Sequence, residues 1–164
     1  MINGVKNELV EKYKLENGEN KIEVIIKNRL VNLEYMFYEC KALKTIEELK
    51  YLNIFSHMFY RCSLSDTKPL ENWNVSNGKD FSYMFYKCSS LLDITSLKNQ
   101  NVINGKDFSF MFFGCSSLLN IKPLENWNVS NGEDFSYMFY GCSSLSDKKT
   151  LEKWKDINKN CNIS

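Results

Sequence analysis

A single histidine, His57, two prolines and seven glycines are spread through 164 residues. No stretch approaches the roughly 18 consecutive apolar residues of a membrane-crossing helix. One imidazole leaves acid–base and metal chemistry short of their commonest side chain. Lys and Arg number 21 against 20 Asp and Glu, a net charge of +1, so the surface is not the strongly basic kind that neutralises nucleic-acid phosphates. The amino terminus, MINGVKNELVEKYKL, lacks the apolar core of a secretory signal. The chain therefore reads as cytoplasmic, or as a cell-surface protein if it is a processed fragment. Phosphate loops, dinucleotide fingerprints and G-x-S-x-G are missing, and nothing nucleophilic is paired with a base. With 43% apolar and 25% charged residues, neither a disordered nor a fibrous chain is indicated. The expectation is one folded, soluble, non-enzymatic domain without cofactor or metal.

What is present is repetition. Met-Phe recurs at Met36, Met58, Met84, Met111 and Met138, in steps of 22, 26, 27 and 27, and a Cys follows each Met four residues on, at 40, 62, 88, 115 and 142. PLENWNVSNGKDFSYMFY at 69–86 returns as PLENWNVSNGEDFSYMFY at 123–140, with a degenerate copy, SLKNQNVINGKDFSFMFF, at 96–113. A period between about 20 and 50 residues signals stacked units, each too small to bury its own apolar face.

Within a unit, Phe81, Met84, Phe85 and Cys88 stand at i, i+3, i+4 and i+7, which predicts one face of a short helix. Asp80, Asp107 and Asp134 precede these segments as natural N-caps, and Asn-Gly pairs at 77–78, 104–105 and 131–132 supply a turn. The apolar runs at 91–94 and 118–121, with weaker forms at 64–67 and 145–148, suit short parallel strands. The expected class is an α/β repeat of about four to five units with strands on one side and helices on the other. Residues 1–34 read as an N-terminal cap, with a helix over Val5–Lys14, an ENGEN turn and a strand over KIEVIIK. Residues 35–147 are the repeat body, and 148–164 are a C-terminal half-repeat with a polar tail.

The six cysteines have no zinc-like spacing, since the two nearest in sequence, Cys142 and Cys161, are 19 apart. If helices pack at about 8–10 Å, a ladder of repeat cysteines stands too far apart for disulfides. The thiols then serve as small apolar core residues.

In every unit, the residue before Met and the residue two after it are aromatic or His: Tyr35 and Tyr38, His57 and Tyr60, Tyr83 and Tyr86, Phe110 and Phe113, Tyr137 and Tyr140. At about 100° per residue they point away from the core face. Stacking aligns them into an outer stripe, and a contiguous exposed aromatic patch usually marks an interaction surface. Tyr83, Tyr86, Phe110, Phe113, Tyr137 and Tyr140 are accordingly the candidate partner-binding residues, unless the rings lie flat across neighbouring units and serve packing alone. A second candidate surface is the loop edge at Trp73, Gln100, Trp127 and Trp154 with its asparagines. The partner expected is a protein, with no nucleic acid and no membrane insertion, and the chain itself a monomer or weak homodimer. Asn74, Asn128 and Asn162 open Asn-x-Ser sequons, which matter only in a secreted chain.

The segments SYMFYGCSSLSD (136–147), SFMFFGCSSLLNI (109–121) and ENWNVSNG (71–78, 125–132) resemble the repeat of BspA-like leucine-rich-repeat proteins, over roughly residues 33–158. The resemblance implies a right-handed, leucine-rich-repeat-like solenoid used in adhesion or protein contact. It brings no catalytic motif.

Overall fold

The computed structural model describes residues 9–16, 19–26, 35, 37–39 and 54–157. Met36, Cys40, Cys161, Asn162 and the tail 158–164 lie outside them. The first element corrects the sequence reading: of the helix expected over Val5–Lys14, residues 5–8 lie outside the described residues and 9–14 form a strand. Strand β1 (Leu9–Glu16) pairs antiparallel with β2 (Glu19–Ile26), in a register running from Leu9↔Ile26 to Glu16↔Glu19. Asn17-Gly18 stands between them in the sequence, and that pair selects the two-residue connection of a hairpin. A turn signal of this strength outweighs an ambiguous apolar pattern.

From residue 54 onward the chain is built of units that pair in register. The short helices expected at 81–88, 108–115 and 135–142 are not formed. Each of these segments is a run of overlapping tight turns. Met84, Tyr86 and Cys88 donate their amides three residues back, to the carbonyls of Phe81, Tyr83 and Phe85. Phe81, Tyr83, Phe85 and Lys87 donate theirs to Asp107, Ser109, Met111 and Phe113 of the next unit, at 2.8, 3.0, 2.9 and 2.7 Å. The remaining amide, Ser82, goes to Asp80 Oδ1 at 2.9 Å. Every backbone donor from 81 to 88 is thereby satisfied. The three Asp residues do cap, as their position predicts, but they cap turns: Asp107 and Asp134 accept the amides of Ser109 and Ser136 at 2.8 Å.

A helix would have kept all these amides within the unit. Sharing half of them brings neighbouring units to strand-like separation, and core rings stack at centroid distances of 5.2–5.7 Å along Phe55–Phe81–Phe108–Phe135 and Phe37–Phe59–Phe85–Phe112–Phe139. Helices cannot approach that closely. The turns need left-handed backbone at two places per unit: Tyr83 and Lys87 have φ of +55° and +54°, and Gly114 and Gly141 occupy the second place in later units at +69° and +75°.

The four-residue strands expected at 91–94 and 118–121 are also absent. Outside the hairpin, the parallel pairing among the described residues consists of single bridges, Ile54↔Asp80, Asp80↔Asp107, Asp107↔Asp134 and Asp66↔Asp93. The offset is 26 residues before Cys62 and 27 after it, so the short second interval comes from one residue fewer between Cys62 and Asp66. Past Cys88 and Cys115 the chain turns inward every third residue. Phe112, Cys115, Leu118, Ile121, Leu124 and Trp127 are all buried, whereas Leu119 stands exposed. A 3₁₀ turn brings in the leucine at Lys68–Leu70, Thr95–Leu97 and Lys122–Leu124. In the last unit this stretch is instead α-helix α1 (Lys148–Ile157), opened by Asp147 Oδ1 on the Thr150 amide. The proline and turn-forming asparagines of the earlier units are replaced there by Thr150, Lys153 and Lys155.

Two packing details are testable. A Cβ on Gly105 would lie 2.3 Å from Phe108 Cζ, and one on the equivalent Gly78 or Gly132 would lie 2.2 Å from Phe81 Cζ or Phe135 Cζ. We expect Gly105→Ala to destabilise by about 1–3 kcal/mol, read from the urea midpoint. Gln100 stands where other units carry Trp, and its Nε2 donates to Leu70 O at 3.0 Å as Trp127 Nε1 donates to Leu97 O at 2.8 Å. The smaller side chain leaves an apolar cavity of about 20 Å³ between Trp73 and Trp127. Gln100→Trp keeps the hydrogen bond and fills the gap, and should raise stability by about 1 kcal/mol in the same measurement.

Candidate binding face

The tight-turn wall places the six candidate residues on the side away from the core, in two columns. One runs Tyr35, His57, Tyr83, Phe110, Tyr137, with centroid separations of 4.6, 4.5, 4.7 and 5.0 Å. The other runs Tyr38, Tyr60, Tyr86, Phe113, Tyr140, at 5.7, 4.6, 4.9 and 5.2 Å. Within a unit the two rings are neighbours, at 5.5 Å for Tyr83–Tyr86 and 5.7 Å for Phe110–Phe113. The face is a tile two rings wide, carried by turns and not by the helices the sequence predicts. Stacking hides the ring faces of inner units, so Tyr83, Tyr86, Phe110 and Phe113 are partly buried and Tyr137 and Tyr140 are exposed. His57 is one more ring in the first column, between Tyr35 and Tyr83.

Each residue of that first column has positive φ, a conformation costing a bulky side chain about 1–2 kcal/mol. An aromatic contact contributes about 0.5–1.5 kcal/mol, so stacking on both sides offsets the backbone cost. Burial, and then the neighbouring Tyr86, push the phenols of Tyr60 and Tyr83 above their ordinary value.

Beside the second column lies a shallow basin of about 480 Å³ lined by Glu39, Arg61, Ser63, Lys87, Ser89 and Gly114. Arg61 pairs with Glu39 at 3.4 Å, and Lys87 Nζ sits 5.4 Å from the centre of the Tyr86 ring. The sequence reading missed this border. Its trace was the Gly that follows Phe113 and Tyr140, which marks a left-handed position.

The loop edge divides. Trp73, Trp127 and Trp154 are buried against the phenylalanine columns and present no surface. The asparagines are exposed: Asn74, Asn101 and Asn128 accept the amide two residues on, and Asn104 and Asn131 Nδ2 reach the Ser76 and Ile103 carbonyls of the preceding unit.

Cys62, Cys88, Cys115 and Cys142 are free and buried. Unit spacing near 5 Å removes the distance argument against disulfides. Each of the last three instead donates its Sγ–H to a phenylalanine carbonyl of the preceding unit: Cys88 to Phe59, Cys115 to Phe85 and Cys142 to Phe112, at 3.0, 3.2 and 3.1 Å. Burial pushes the Cys142 thiol up to about 12, and those of Cys88 and Cys115 upward too. Among the described residues, no three His, Cys, Asp or Glu side chains gather as a metal site.

A raised folded-state pKa adds stability below the unfolded value and loses it as pH climbs toward the folded one. Stability should therefore hold up to about pH 9 and fall between there and about 12, while thiol reagents leave these four cysteines unlabelled at neutral pH until the chain unfolds. Native labelling, or an alkaline limb without slope, would contradict the buried row.

No helix among the described residues is long and apolar enough to cross a membrane. No curated protein and no solved structure matches the chain. The repeat itself is what a family model detects. Two overlapping matches, over residues 9–106 and 53–163, are to the family described as "Mycoplasma protein of unknown function, DUF285". They span the paired units almost end to end, and the chain belongs to that family.

Proposed function

We propose that the protein is a non-enzymatic interaction module, a leucine-rich-repeat-like solenoid whose outward aromatic tile binds a protein partner. The observation that supports this reading is the tile itself. Ten aligned side chains, nine of them aromatic, face away from the core on a wall with no charged residue between the two columns. Monomers rarely leave such a patch idle. Tyrosine suits the role, with large area, few rotatable bonds and a polar tip. The basin with Arg61 and Lys87 gives the footprint a polar rim, the usual border of an apolar contact.

A second reading, a cell-surface adhesin or part of one, draws on the likeness to BspA-like repeats and on the exposed sequon residues Asn74 and Asn128.

The central units test the first reading. A Tyr83→Ser, Phe110→Ser, Phe113→Ser variant, with folding checked by circular dichroism, should lose the proteins that the parent chain captures from native lysate. A folded variant that keeps them overturns the aromatic tile as the contact surface. An unfolded variant would assign the rings to stability alone.

A further inference from the structure

Each unit uses left-handed backbone twice, and stacked rings hold only the first of the two places. The second, one residue past the second column, runs Glu39, Arg61, Lys87, Gly114 and Gly141, with φ of +50°, +57°, +54°, +69° and +75°. Glycine adopts this conformation at no steric cost, whereas a residue with a Cβ is strained there. The last two units use the glycine. The first three carry long charged side chains, and no ring column offsets their strain. Strain of this kind persists where the side chain has a use, as at ligand clamps.

These three side chains border the basin of about 480 Å³, together with Ser63, Ser89 and Gly114. Its polar groups are underused. Arg61 meets Glu39 through Nε at 3.4 Å, and its guanidinium makes no hydrogen bond to a described residue. The two side chains of that pair are 52% and 49% exposed, so it contributes little to stability. Lys87 Nζ has the Tyr86 ring at 5.4 Å and forms no ion pair with a described residue. The hydroxyls of Ser63 and Ser89 are likewise unbonded among the described residues. A Cβ on Gly114 would lie 3.1 Å from Lys87 Cγ, so the glycine leaves the lysine stem its room.

We propose that the basin binds one carboxylate, an Asp or Glu side chain of the partner protein whose apolar groups lie on the aromatic tile. The partner's position rests on the tile reading, and its chemistry rests on charge. Arg61 and Lys87 against Glu39 are two cations against one anion, a net charge of +1 that a single carboxylate neutralises. A phosphate group, at close to two negative charges, exceeds that balance and faces Glu39. Guanidinium, ammonium and serine hydroxyls all donate to carboxylate oxygens, and the charged donors make the stronger bonds. Lys87 stands beside Tyr86, so the charge lies within one side-chain length of the second column. The contact segment of the partner therefore sets an acidic residue next to an aromatic or aliphatic one.

Nitrogen-15 NMR titrations of the full chain with three tripeptides blocked at both ends give the test: Phe-Asp-Phe, Phe-Asn-Phe and Phe-phosphoserine-Phe. At millimolar concentration Phe-Asp-Phe should shift Arg61, Lys87 and Ser89 together with Tyr86 and Phe113. It should bind about fivefold more tightly than Phe-Asn-Phe, a preference that added salt erases. Lys87→Gly removes the cation and relieves the left-handed strain, so the preference should vanish while the urea midpoint holds or rises. Should that variant fail to fold, the comparison of peptides on the unaltered chain decides. No shift at Arg61 and Lys87, equal binding of the Asp and Asn peptides, tighter binding of the phosphoserine peptide, or a folded Lys87→Gly that keeps the preference would each overturn the proposal. Equal shifts of Tyr86 and Phe113 by the Asp and Asn peptides would sink the basin and leave the tile standing. Shifts by Phe-Asp-Phe confined to the basin would uphold the carboxylate site and sink the tile.

Discussion

Every second amide of the aromatic wall is given to the neighbouring unit, and the rest of the structure follows from that. A backbone that shares half its donors across a joint must hold the joint at strand spacing, and once it does, identical side chains lie directly over one another. The phenylalanine columns of the core, the paired columns outside and the thiol row inside are three results of one repeat distance. So is the crowding at Gly105, where the turn from Val102 passes so close to the Phe108 ring that no Cβ fits. The left-handed residues belong to the same constraint. They are what lets a chain close a three-residue turn and still aim the next amide along the stack, and for those in the first column ring stacking provides the energy that offsets them.

Much of this was legible in the sequence, and the failures have a common cause. The repeat, the buried set Phe81, Met84, Phe85 and Cys88, the capping aspartates and the outward direction of Tyr83 and Tyr86 all follow from spacing. The element type does not, because i, i+3, i+4, i+7 also fits a chain that turns inward every third residue. The distinguishing sign lay further along. From Phe112 to Trp127 the buried positions keep a strict step of three, and over five such steps an α-helix would have rotated its face by about 300°. The left-handed φ of Phe110 or Tyr137 left no trace at its own position, since Gly and Asn are the usual signals and neither is there. The hairpin was legible in Asn17-Gly18, between strands whose apolar pattern reads equally as helix or sheet.

The candidate face shows how the two expectations for the aromatic stripe, packing ladder and exposed surface, combine. Rings stack along the array and hide their faces, yet their edges and hydroxyls form a continuous outer layer. The most exposed members are the terminal ones, for the plain reason that a column has two ends. In repetition of this kind stability accrues along the stack, while the ring edges are presented across it.

The step of 27 residues has a consequence for how such a chain can change over generations. A substitution at Phe85 disturbs its contacts with both Phe59 and Phe112, and it breaks the match with every other copy in the column. Duplication or loss of one whole unit disturbs nothing of the kind: each ring still meets a ring, each glycine its phenylalanine, each amide a carbonyl. The near-identity of residues 69–86 and 123–140 is what a recent copying event leaves behind, with the divergent stretch at 96–113 between them. Lineages carrying this architecture should differ in the number of units far more readily than in the content of one.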